Sequence, residues 1–138
     1  MDQEKLITKA RAKYVRDEPD YLSFIYKGTK CEIKRNSAML FLCGYTSFVL
    51  YQPYDVNYYR KNLVNIDVHG GVTYFKVKPC GKIKIGFDCA HYNDLIPTFS
   101  IQAGEKDGEE YRTIAFVKKE IQKMVDQIIK INDQLSVK

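Results

Sequence analysis

Both histidines of the chain stand in short polar segments. One reads Asp67-Val68-His69-Gly70-Gly71-Val72-Thr73-Tyr74, the other Gly86-Phe87-Asp88-Cys89-Ala90-His91-Tyr92-Asn93-Asp94. Asp88, His91 and Asp94 recur every third residue where a strand runs into a turn, a spacing that puts their side chains on one side. A carboxylate beside an imidazole fixes its tautomer and raises its basicity, as acid–base catalysis, metal ligation and phosphate binding each require near neutral pH. Strand alternation sets Asp67, His69 and Thr73 on one face. Two adjacent glycines within a strand disfavour it unless the backbone must bulge or something must approach closely.

A hairpin is what must bring the two segments together. Residues 64–78 and 82–89 both read as strands, joined by the turn-forming Pro79-Cys80-Gly81. His69 precedes Cys80 by eleven residues and His91 follows it by eleven, so pairing about that centre predicts both rings at the open end, roughly 5 to 10 Å apart.

Residues 1–17 carry Leu6, Ile7, Ala10 and Tyr14 at helical spacing before Asp17-Glu18-Pro19-Asp20, predicting an N-terminal helix. Tyr21–Tyr26, Lys30–Arg35 and Leu40–Tyr51 are aromatic and β-branched and predict an antiparallel meander. Pro53–Asn62 breaks that pattern and reads as an irregular binding loop offering Tyr58 and Tyr59. Residues 97–110, with Gly104 and Gly108 among charges, read as a mobile loop. Residues 113–135 repeat apolar side chains from Ile114 to Ile131 with a period near 3.6, predicting a long closing helix. The expected fold is α+β: a single domain over 1–138, whose antiparallel sheet of about five strands spans 21–96 between an N-terminal helix and a C-terminal helix packed on it.

The chain's 138 residues, 45% hydrophobic, suffice for one core without disulfides or metal. No apolar run approaches the roughly 20 residues of a membrane span, and the acidic N-terminus lacks a signal-peptide core, so a cytoplasmic setting is expected. Four cysteines without a C-x-x-C, beside two histidines, argue against structural zinc and read as small buried residues. The net charge of +5 favours anionic partners mildly, but many lysines alternate with acids on the terminal helices, so nucleic acid is not the expected partner. Motifs for the P-loop, the dinucleotide fold, zinc proteases and α/β-hydrolases are missing.

At the two histidine segments the chain resembles a widespread group of small proteins of tailed bacteriophages and prophages, with the pattern H-G-G-[ILV]-T-Y and G-F-D-x-x-H-x-x-D. His69–Tyr74 and Gly86–Asp94 match it closely; Cys31, Gly44-Tyr45, Tyr58-Tyr59 and Phe116–Glu120 match loosely, over residues 25–130. Tyr92-Asn93 stands where the pattern has a small residue. The resemblance implies a phage origin, with the host bacterial cytoplasm as the setting, but no reaction; by analogy, small phage proteins antagonise host antiviral immunity.

Three functions follow as expectations. The leading one is sequestration of a small anionic nucleotide-type signal, with His69, Gly70, Gly71, Thr73, Tyr74, Asp88, His91, Asp94, Tyr58 and Tyr59 as ligand contacts and no cofactor. The second is a hydrolase of such a signal, with His69, His91 and Asp88 catalytic, or with Asp67, His69, Asp88, His91 and Asp94 around a divalent metal. The third is direct inhibition of a host defence protein. Self-association into a homo-oligomer is compatible with all three.

Overall fold

The computed structural model describes residues 2–49, 56–63, 65–79 and 81–136, without the side chains of 56, 58, 59 and 134–136. The fold is α+β. Strands β1 (Tyr21–Tyr26), β2 (Thr29–Arg35), β3 (Leu42–Val49), β4 (Tyr74–Val77) and β5 (Lys82–Asp88) form one sheet in the order β1-β2-β3-β5-β4, antiparallel throughout. Alternation along each strand turns Cys31, Ile33, Leu42, Phe48, Ile83, Ile85 and Phe87 to one face, where the closing helix α4 (Ile114–Ser136) covers them with Val117, Ile121, Met124, Val125 and Ile128. Helix and sheet meet closely at Gly44: a Cβ there would stand 2.7 Å from the Phe87 ring and 2.9 Å from Ile121.

Among the described residues of the expected 64–78 strand, only Tyr74–Val77 form one. Gly70 and Gly71 take φ of 68° and 81°, and the Gly71 N–H donates to Val68 O (2.8 Å), so the double glycine makes a turn in place of a strand. The register nevertheless follows the predicted centre: Tyr74 faces Gly86 and Val77 faces Ile83, pairings symmetric about position 80.

Two expected loops contain helices. Helix α2 (Val56–Leu63) occupies most of the Pro53–Asn62 segment, because tertiary packing outweighs the weak propensity of its Asn and Tyr: Leu63 is buried in the core and the Arg60 guanidinium lies 5.0 Å from the Phe75 ring. Pro53 lies outside the described residues. Helix α3 (Pro97–Ala103) takes the first half of the 97–110 loop, opened by Pro97 in its first turn and stopped by Gly104 at φ 84°. The second half is pinned, with Glu110 N–H on Asn93 O and Leu95 N–H on Glu110 O, both 2.9 Å.

At the N-terminus, Asp2 caps α1 (Gln3–Ala10), and one widened turn, Arg11–Val15, ends it. Ala10, Val15 and Leu40 form a second small core with Ile101 of α3. Arg35, buried at the end of β2, fastens this unit to the sheet. It donates to Asp20, Pro19 O, Leu40 O and the Tyr111 hydroxyl, while Glu18 accepts from Tyr111 and from the Ile114 N–H that opens α4. Among the described residues no helix is long and apolar enough to cross a membrane.

Candidate functional site

Beyond Asp88 the chain leaves β5 in a tight turn built by its own carboxylates. Asp88 Oδ1 accepts from Ala90 N–H (3.1 Å), Asp94 Oδ2 accepts from His91 N–H (2.9 Å), and Asp94 N–H returns to His91 O (2.9 Å), with Asn93 at φ 71°. Asp94 is thereby drawn inward until its side chain is 0% exposed. It anchors the site: the His69 ring reaches it through Nε2 at 2.8 and 2.9 Å, and Arg112 donates to it through Nε at 2.7 Å. Burial alone would raise the Asp94 pKa; hydrogen bonds from His69, the His91 N–H and Arg112 outweigh it and hold the carboxyl below its ordinary range.

Each partner is fixed in turn. The His69 N–H donates to Glu120 of α4 (2.9 Å), and its ring stands edge-on to Phe116 at 5.1 Å. Arg112 lies 4.9 Å over the same Phe116 ring and donates to Glu110 at 2.9 Å.

His91 is held differently. Its ring centroid lies 6.0 Å from that of His69, within the range predicted from the hairpin, and its Nε2 is 3.1 Å from Asp88 Oδ1. The two are close enough for an ion pair but not aligned to share a hydrogen bond, so His91 Nε2 is enclosed with its hydrogen bond unmade. The ring rests on Gly70, where a Cβ would come within 2.2 Å of it. What approaches Gly70 closely is therefore His91 itself, whereas a Cβ at Gly71 would meet open space. Thr73 supports the pair from the other side, its hydroxyl donating to Asp88 at 3.1 Å.

Not every sequence-derived residue joins this group. Asp67 is 87% exposed, its carboxylate 3.9 Å from Lys123 and its backbone bonded to Gln127; residues 66–68 are not a strand, and alternation does not carry it to His69. Tyr74 lies on the outer sheet face, edge-on to Tyr45 at 5.3 Å. The roles of Tyr58 and Tyr59 fall outside the described side chains. Among the described residues no three His, Cys, Asp or Glu side chains are grouped to hold a metal ion. Cys89, beside the site, is buried, and burial raises its thiol pKa, which suits packing and not nucleophilic attack.

A hollow of about 280 Å³ opens against the turn, lined by His91, Tyr92, Asn93, Asp94, Phe99 and Lys106 among others. Tyr92 is 92% and Phe99 61% exposed, two unusually bare rings at its rim. Phe99 and Lys106 were missing from the sequence-derived site; the only available signal was their position in the segments flanking the second motif. A wider hollow of about 610 Å³ lies by Tyr14 and Tyr111, but there Glu18 and Tyr111 are committed to the Arg35 network, so its chemistry is already used. Compared with protein-family models, curated proteins and solved structures, the chain matches none.

Proposed function

We propose that the chain binds a small anionic nucleotide-type ligand in the hollow beside His91, and that it acts by sequestration. One observation carries this reading: two bare aromatic rings, Tyr92 and Phe99, flank a hollow that also presents His91 and the Lys106 cation. Rings of this kind take a base by stacking, and an imidazole and an ammonium take phosphate oxygens. The acids Asp107 and Glu109 share the lining, so the ligand must bring hydrogen-bond donors as well as charge, which a nucleobase and ribose supply. The resemblance to small bacteriophage proteins supports a phage origin, and by analogy with small phage proteins that antagonise host antiviral immunity the ligand is a nucleotide signal of that immunity.

A second reading draws on the two His–Asp pairs, whose rings lie 6.0 Å apart: His91 and His69 would serve as base and acid of a hydrolase acting on the same ligand. In the fold His69 Nε2 is engaged by Asp94, which leaves His91 as the freer ring.

The test is incubation of the protein and its His91→Ala variant with a bacterial nucleotide extract, followed by washing, denaturation and mass spectrometry of what is released. Sequestration predicts an intact nucleotide from the wild type and little from the variant. A cleaved nucleotide would favour the hydrolase, and recovery of nothing, or of equal amounts from both proteins, would overturn the assignment.

A further inference from the structure

The sheet has a second face that α4 does not cover. Its registered rows are Tyr21-Lys34-Cys43-Asp88, Ser23-Glu32-Tyr45-Gly86-Tyr74 and Ile25-Lys30-Ser47-Lys84-Lys76, with Val49 opposite Lys82 beyond them. The face is open: Tyr21, Ile25, Val49 and Tyr74 are all exposed, as are Lys30, Lys34, Lys76 and Lys82. Five lysines stand here against two acids, Glu32 and Asp88. Lys84 is paired with Glu32 at 3.2 Å, whereas among the described residues Lys30, Lys34, Lys76 and Lys82 have no carboxylate in ion-pair contact. The charge is interleaved with rings. Tyr45 lies flat across Gly86, where a Cβ would stand 2.4 Å from it, with Lys84 4.7 Å and Lys34 5.8 Å from its centroid. Tyr74 meets its edge, and Tyr21 stands two strands away, steered by its hydroxyl bond to Glu32 (2.6 Å).

We infer that this outer face binds single-stranded nucleic acid, a site separate from the hollow at His91. Unpaired lysines answer a phosphate chain, and tyrosines flush with a sheet offer platforms to unstacked bases. Strand spacing makes the face about 19 Å wide from β1 to β4, enough for three or four extended nucleotides. A duplex keeps its bases stacked inside and offers such rings nothing to stack on, so the single strand is the occupant that uses both features.

The experiment is fluorescence anisotropy of a short mixed-sequence oligonucleotide, as single-stranded RNA and single-stranded DNA in separate arms, titrated with the whole chain. Binding should weaken with salt with a log–log slope of about −3, as four phosphate contacts require. Tyr74→Ala should lower affinity about tenfold, and Lys34→Glu with Lys76→Glu by more than that. Oligonucleotide binding should survive His91→Ala with its salt slope unchanged, so that this site and the hollow stand or fall separately. All three proteins are checked for native circular dichroism; the altered side chains are outside the core. Equal binding of wild type and Tyr74→Ala would reduce the face to an ion exchanger and overturn the inference. No binding of either oligonucleotide at low salt would also overturn it and leave the face to a protein partner or a second copy.

Discussion

Replacing Asp94 by asparagine removes the anchor of the site while keeping its shape. The carboxylate is fully buried and accepts from Arg112 Nε at 2.7 Å, from His69 Nε2 and from the His91 N–H. An amide accepts through one oxygen only, and its NH₂ must then face one of these donors. A hydrogen bond to a charged group contributes about 1.5 to 3 kcal/mol, and a buried donor left unmatched costs about 1 to 3 kcal/mol. His69 and Arg112 are each about one-sixth exposed, so water recovers part of the loss, and about 3 kcal/mol is expected. For a chain of this size that is a melting temperature lower by about 12 °C. The pH dependence carries the sign. Because the folded carboxyl is held below its ordinary value, its contribution is present above pH ~3.9 and is lost as the pH falls through the lower folded value. Thermal unfolding followed by circular dichroism at neutral pH and at successively lower pH, for as long as the fold survives, is the assay. The gap between wild type and Asp94→Asn should be wide at neutral pH and narrow in acid. A gap under about 2 °C at neutral pH, or one that does not change with acid, would refute the anchor.

Ile121→Ala, under the sheet, should cost about 2 to 4 kcal/mol in chemical denaturation, and an unchanged midpoint would place the α4 stripe elsewhere. Gly70→Ala combines a positive φ with a methyl directed into the His91 ring, and should destabilise by about 2 kcal/mol and shift the His91 resonances in NMR. His69→Ala should lower stability by about 1 to 3 kcal/mol, since it strips a partner from Asp94, whereas His91→Ala should change the melting temperature little and act on ligand retention. Arg35→Met should uncouple the N-terminal unit, exposing the Arg11–Asp20 segment to limited proteolysis before the sheet unfolds.

Much of the frame was legible because period and turn chemistry act locally. Ile114 to Ile131 repeat at helical spacing, and the closing helix packs with those residues inward. The turn signal at 79–81 set the right pairing centre, but the ladder stops at Tyr74 and Gly86, and the approach of His69 and His91 is completed by the turns beyond it. Helices α2 and α3 were not legible. Seven or eight residues carry too little periodicity, and both form by packing, Leu63 into the core and Ile101 against α1. The double glycine could be read as a bulge or a close approach, and only the fold shows a turn with the His91 ring resting on it. Arg112 as second partner of Asp94 was beyond reach for a similar reason: the bond depends on where the 104–112 segment crosses the turn. The sequence reading weighed only the lysines of the terminal helices, because gathering Lys30, Lys34, Lys76 and Lys82 on one face took the strand order.

The central claim, that the hollow beside His91 takes a nucleotide-type ligand, is tested most directly by titrating isotopically labelled protein with adenosine 5′-monophosphate as probe and following the backbone amide signals. Saturable shifts are expected at His91, Tyr92, Asn93, Phe99 and Lys106, and their loss in the His91→Ala protein. Shifts confined to the outer sheet face around Tyr45 and Tyr74, or no shifts at millimolar probe, would contradict it.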